Sequence, residues 1–323
     1  MKKIALINFY FASKAPDYMD FYISSCAYNS DVDFFVFTNL DLQYEYKNIH
    51  IIKMQFKEFA NIIKQNIEKA LREEGINDEV IIKHPYKIAD YRPTFGLCFQ
   101  QWIKDYDFWG YCDLDVVFGN IRKYVTDELM ENYDKLFEHG HFSVIKNSEK
   151  CNKMFLKDYR NSFYSVLHME KNSFFEEVYE KKWLPHGGIN SIFEKEGTLY
   201  KNRKALCDIS FRYGNLIDLK NPSKSKRNVF LFREGHLFRL SYVNKTIEQE
   251  EIFYVHFQKR RLHNETENVK EFIADNWSFK ECKHINKSIF KGTSRFNIPT
   301  RKWIKFRYID AFKRKLNKDF TVK

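Results

Sequence analysis

The chain has 323 residues, 44% hydrophobic and 30% charged, with a mean hydropathy of −0.57. That balance excludes a disordered chain, a collagen-like repeat and a multispan membrane protein, and the length allows one large domain or two small ones. Lysine and arginine number 54 against 43 acidic residues, a formal charge of +11 that predicts anionic partners: nucleotide, nucleic acid or membrane surface.

In chain order, KKIALINFY predicts a buried strand, 16–29 a helix and DFFVFTN a second buried strand, which is a βαβ start. Lys2 and Lys3 ahead of the apolar run loosely mimic a signal peptide, but Asn8 interrupts the run and its Ile and aromatic content favours the strand. A short strand over 49–54 follows. Residues 56–74 carry Phe59, Ile62, Ile63, Ile67, Ala70 and Leu71 at helical spacing and end at Gly75. Pro93 is expected to open a helix to about Lys104, and 107–112 makes a short apolar strand that runs into acids. Residues 124–137 read as helix, HFSVIKN as strand, 153–160 and 174–182 as helices, and WLPHGGIN as a loop entering a helix that runs to Glu196. Later, ALCDISF, NVFLFREGHLFRLSY and EIFYVHFQKR read as strands and hairpins with REG as one turn. The stretch 264–291 reads as a polar linker with a helix near 269–277, and 301–323 as a basic tail. Alternating βα units followed by hairpins predict an α/β fold with a mixed central sheet.

The six cysteines stand singly, without the close pairs of a zinc site or a disulfide framework, so a reducing cytosol is expected. No GxGxxG follows the first strand and GxxxxGK[ST] does not occur, so any phosphate must be held without those loops. Three Asp-x-Asp triplets occur. Asp31/Asp33 and Asp105/Asp107 precede strands and read as solvated turns. Asp113 and Asp115 instead follow an apolar strand at its carboxyl end, where open α/β sheets place their ligands. Two hard oxygen donors there suit Mg²⁺ or Mn²⁺, which would neutralise a departing diphosphate; the plainer alternative is a capped turn.

The stretches YKIADYRPTFGLCF, YDFWGYCDLDVVFGNIRKYVTDEL, HFSVIKN, HGGINSIFEKEG and YVHFQKRRL, in this order, resemble a bacterial GT-A glycosyltransferase family of capsular and other surface-polysaccharide gene clusters, long known only as a domain of unknown function. The resemblance implies a GT-A-like catalytic domain over 1–262, with a linker and basic extension over 263–323. It also implies a nucleotide-diphosphate sugar donor, UDP-linked by expectation, and a glycan acceptor. Asp113 and Asp115 would hold Mn²⁺ or Mg²⁺, completed by the late His256. The donor would meet Lys87, Asp90, Arg92, Asp113, Leu114, His186, Gly187, Gly188, Asn190 and Lys259. Asn8, Tyr10, Phe11, Thr38 and Asn39, at the ends of the first two strands, flank the expected base pocket. Asp208 matches a family acid and is the candidate to deprotonate the acceptor, with Glu194 as a second; Glu194 and Glu196 read equally well as an exposed helix face. The acids that commonly precede the paired glycines are replaced here by Leu184, Pro185 and His186.

Bland readings stand beside these. Lys87, Asp90 and Arg92 make an exposed turn with a salt bridge, and His256 is a packed strand histidine. Residues 301–318 place Trp303, Ile304, Phe306, Ile309 and Phe312 among basic residues, the composition of a helix lying on an anionic bilayer, which suits a lipid-linked acceptor and a cytoplasmic protein at the inner membrane face. The rival classes are a metal-dependent nuclease or nucleotidyltransferase and a non-enzymatic basic glycan- or membrane-binding protein. No nucleic-acid partner is expected.

Overall fold

The computed structural model describes residues 1–169, 171–177, 187–202, 205–219, 227–258, 260, 262–291, 293 and 300. The chain opens with β1 (Ile4–Tyr10), α1 (Met19–Ala27), β2 (Val32–Thr38), β3 (Ile49–Lys53) and α2 (Phe56–Glu73), each close to its expected bounds. The helix expected from Pro93 is broken. A 3₁₀ stretch Pro85–Thr94 leads into two single turns, α3 (Phe95–Cys98) and α4 (Gln100–Ile103), because Phe99 leaves helical geometry and Gln100 Nε2 donates to Gly96 O at 2.5 Å.

The chain continues through β4 (Phe108–Cys112), β5 (Val116–Phe118), α5 (Asp127–Asn132), β6 (Lys135–His139) and β7 (Phe142–Lys146). The helix expected over 124–137 is therefore one short helix, capped by Thr126 Oγ1 on Leu129 N at 3.3 Å, and then a strand. Pairing with β7 overrides the helical spacing. The helix expected at 153–160 is likewise replaced by α6 (Glu149–Asn152) and a 3₁₀ turn, Met154–Leu156. After α7 (Phe163–His168) come α8 (Ile189–Glu196), β8 (Leu199–Tyr200) and β9 (Cys207–Asp208). Of the helix expected over 174–182, the described residues 174–177 form a turn instead, with Phe174 at φ +60°; 178–182 lie outside the described residues, as do 301–323.

The REG turn joins β10 (Asn228–Arg233) to β11 (His236–Val243), with Glu234 and Gly235 both at positive φ, as a two-residue hairpin needs. Then follow β12 (Thr246–Glu251), β13 (Tyr254–His256), β14 (His263–Asn264), β15 (Glu271–Ala274) and β16 (Ser278–Lys280). The polar linker with a helix near 269–277 is thus corrected to strands. Asp275 Oδ1 accepts from the amides of Trp277 (2.8 Å) and Ser278 (3.0 Å), which bends the chain where a helix would continue.

Two compact units result. Unit 1 comprises Met1–Pro16, Cys26–Leu114 and the described residues of Ile121–Asn202; unit 2 comprises Asp17–Ser25, Asp115–Asn120 and the described residues of Arg203–Lys323. Unit 1 holds a mixed seven-stranded sheet, β3-β2-β1-β4-β7-β6-β8, with β3, β2, β1 and β4 mutually parallel and β7 antiparallel to β4. Phe59, Ile63, Ile67 and Leu71 of α2 pack in its core with Phe37, Phe95 and Phe99. The fold is mixed α/β around a central mixed sheet. Unit 2 holds a six-stranded sheet, β12-β11-β10-β15-β16-β14, and a three-stranded one, β5-β13-β9. Phe272 and Ala274 of β15 enter one apolar cluster while Ile273, between them, enters another.

Candidate metal and donor site

In unit 1 the chain builds outward from β1 through β2 to β3 and then returns to β4 on the other side of β1. This reversal is the switch point beside which open α/β sheets bind ligands, off the carboxyl ends of the strands. Asn8 ties the two strand ends together, its Oδ1 accepting from the Cys112 amide at 3.2 Å and Sγ at 3.1 Å.

Asp113 follows β4 directly. Its amide donates to His141 O at 3.1 Å, and its Oδ1 accepts from Arg92 Nη2 at 2.5 Å. Arg92 Nη1 donates to Gly140 O at 2.7 Å, and the guanidinium lies 5.6 Å from the Phe9 ring centroid and 5.7 Å from that of Tyr111. Burial opposes the Arg92 charge, yet Asp113 and Glu176 together hold its pKa above the ordinary value. A cation is thus fixed at the strand ends by two hydrogen bonds and two rings.

Lys87 and Asp90 form a buried pair at 2.8 Å rather than an exposed turn. Asp90 also accepts from the amides of Ser173 (2.8 and 3.0 Å) and Phe175 (3.1 Å), so its carboxylate is committed to bracing the chain. Asn39 is committed too, its amide pairing with both backbone groups of Ala12. Thr38 is buried, with Oγ1 accepting from Leu40 N. Phe11 packs on Phe56 and Phe59, Leu114 is buried, and Tyr10 is half-buried, its hydroxyl pKa raised by that burial.

Gly188 caps α8, with Gly187 at φ +77° ahead of it. Asn190 is buried, its Nδ2 donating to Glu138 O (2.7 Å) and Glu177 O (2.8 Å). Glu194 pairs with Lys201 on the surface. His186 and Lys259 lie outside the described residues.

Sequence reasoning missed the residues at the β6–β7 tip. The rings of His139 and His141 stack at 4.8 Å with 8° between their planes, and Gly140 N donates to Glu177 Oε2 at 2.9 Å. Glu176 is buried with Oε2 unpartnered. Burial first, then Asp90 and Glu177, push its pKa well above the carboxylate range, against the pull of Arg92. The run Glu138-His139-Gly140-His141 was the available signal, masked by reading its lead-in as helix.

The carboxylates at 113 and 115 divide between the units, since unit 2 takes up the chain at Asp115. Within unit 2, β13 lies between β5 and β9, with His256 opposite Val116 on one side and Asp208 on the other. Phe257 N donates to Asp115 O at 2.9 Å. His256 Nδ1 stands 2.9 Å from Asp208 Oδ1 and Nε2 stands 3.4 Å from Asp115 Oδ1. Gln258 Nε2 donates to the same Asp208 oxygen at 2.9 Å. Asp115, Asp208 and His256 are each 8% exposed. With the ring proton on Nδ1, donated to Asp208, the Nε2 lone pair turns toward the Asp115 carboxylate. Two electron-rich atoms so placed attract a proton or a metal cation between them. Carboxylate oxygen and imidazole nitrogen, with a second carboxylate behind the ring, fit a divalent ion such as Mn²⁺.

The model of a family of unknown function (DUF6625) matches residues 6–288. The chain belongs to this family. No curated protein matches it in sequence. Among solved structures it is similar to the glycosyltransferase GlyE of Streptococcus pneumoniae TIGR4, with 12% identity, TM-score 0.31, and coverage of 64% of this chain and 46% of that one. The galactosyltransferase LgtC, solved with donor and acceptor sugar analogs, gives 10% identity, TM-score 0.34, and coverage of 64% and 75%. A glycosyltransferase involved in glycosylating the major capsid of PBCV-1 gives 8%, 0.31, and 80% and 94%. The chain spans about half the length of GlyE.

Proposed function

We propose that this chain is a metal-dependent GT-A-like glycosyltransferase, moving a sugar from a nucleotide-diphosphate sugar to a glycan acceptor in bacterial surface-polysaccharide synthesis. The observation that carries the reading is the His256 ring, held by Asp208 on one side and turned to Asp115 on the other. A packed strand histidine has no need of two buried carboxylates; a metal ligand with an orienting partner does.

Asp115 Oδ1 and His256 Nε2, both in unit 2, would hold Mn²⁺ or Mg²⁺. When bound, the ion supplies positive charge to the diphosphate leaving group. Asp208 keeps the His256 ring in one tautomer and orientation, and is assigned here as a positioning residue. In unit 1, Arg92 presents a preorganised cation at the strand ends, suited to phosphate or sugar oxygens. The acceptor is proposed to be lipid-linked, with the basic run 301–318 meeting an anionic membrane at its cytoplasmic face.

The test is a panel of UDP-, GDP-, ADP- and dTDP-sugars, scored by thermal shift and donor hydrolysis with and without Mn²⁺. A Mn²⁺-dependent response to one donor class is expected in the wild type and absent in D115N and H256A. An equal response in those variants, or no metal-dependent response to any donor, rejects the reading.

A further inference from the structure

Lys135 lies in β6 at 0% exposure, where a lysine is rarely found. Its Nζ donates to the carbonyl of Phe137 and, at 2.9 Å, to Ser143 Oγ across on β7. Ser143 Oγ stands 3.2 Å from Phe137 O and 3.0 Å from His139 O. These contacts close around a β-bulge: the β6–β7 register shifts between Leu136 and His139, and Phe137 sits at φ +67°. That conformation is costly for an aromatic residue and persists only where its surroundings enforce it.

The bulge leads straight into the tip 139–141. Gly140 O receives Arg92, His141 O receives the Asp113 amide, and Gly140 N donates to Glu177. One buried amine therefore stands behind three backbone groups that fix the strand-end residues. An aliphatic side chain would fill the same space at lower desolvation cost, but could not supply donors to a carbonyl and a hydroxyl at once. A neutral amine carries two N–H bonds, matching these two acceptors. Burial lowers the Lys135 pKa to about 7 against the opposing pull of Glu138 and Glu177, so the neutral form is accessible.

We propose that Lys135 is a positioning residue, whose clamp on Phe137 and Ser143 holds the bulge and thereby sets the tip that fixes Arg92 and Asp113. Its bearing on catalysis rests on the function proposed above; its hold on the tip does not.

The test compares full-length wild type, K135M, S143A and, as a buried control in β10 of unit 2, V229A. Hydrogen exchange by mass spectrometry is read on peptides spanning 138–143 and 112–116, and UDP affinity is read by titration calorimetry. K135M and S143A are expected to speed exchange about tenfold in those two peptides alone, and to weaken UDP about tenfold, the scale of one charge-assisted hydrogen bond lost at Arg92. V229A is expected to lower Tm and leave both readouts unchanged. Wild-type exchange at the tip in K135M and S143A, or a rise spread evenly over the sheet, overturns the proposal. If K135M does not fold, S143A decides. If the wild type binds no UDP, the donor reading fails while tip exchange still decides the role of Lys135.

Discussion

His256 shows how much a single side chain's surroundings change its meaning. As a residue between Val255 and Phe257 it reads as packing; Asp208 and Asp115 on its two nitrogens are what support the ligand role proposed above. The two roles open to Asp208 differ in what its loss would do. As an orienting partner, D208N should weaken Mn²⁺ binding about 10- to 100-fold, the usual cost of losing an outer-shell carboxylate. As a general base it would leave Mn²⁺ affinity intact and lower turnover alone, so a metal titration of D208N decides between them. Lys87 and Asp90 make a second residue-scale case. K87M strands a buried carboxylate among amides and should cost about 3–5 kcal/mol, measured by urea unfolding. A loss below about 1 kcal/mol would show that the pair carries little of the fold.

Among elements, strands with apolar alternation and the long amphipathic α2 were legible because their patterns are local. The β6 strand was not, since its own Lys135 and Glu138 are polar yet buried in a strand that lies between β7 and β8. Strand β15 was missed for its brevity, four residues giving too few repeats of the two-residue period. Gly110 marks a close approach of strands within the central sheet. A Cβ there would lie 2.2 Å from Ser143 O and 2.8 Å from Leu6 Cδ2, so G110A must push β4 away from β7. A loss of about 2–3 kcal/mol is expected in urea unfolding, the scale of core overpacking; no loss would mean that the strands can separate freely.

Lys135 ties the same sheet to pH. Its folded pKa of about 7 lies below the ordinary lysine value. Below pH 7 both folded and unfolded chains hold the proton. Between pH 7 and about 10 only the unfolded chain does, so native stability gains from this residue as pH rises through that window. Relative to K135M, the wild type should gain about 2 kcal/mol between pH 7 and pH 9 in urea unfolding. Parallel pH curves for the two proteins would contradict a buried, titrating amine.

For the whole molecule, the charge of +11 predicts long-range attraction to anions that salt weakens. Full-length protein is expected to sediment with anionic vesicles at about 50 mM salt and to release at about 500 mM; deletion of 301–318 should remove most of that binding. Retention in the supernatant at low salt would count against membrane association. Among the described residues, no helix is long and apolar enough to cross a membrane.

Composition, the βαβ opening, the position of Asp113 at the end of a strand and the family to which the chain belongs were all determined by sequence, because each depends on residues within a few positions or on ordered motifs. The division of the two carboxylates between units, the commitment of Asp90 to a buried brace, the bulge at Phe137 and the partnership of His256 with Asp208 were decided only by tertiary structure. Those last two residues are 48 positions apart. Only the pairing of β13 with β9 brings them within a hydrogen bond, and burial then makes that bond matter.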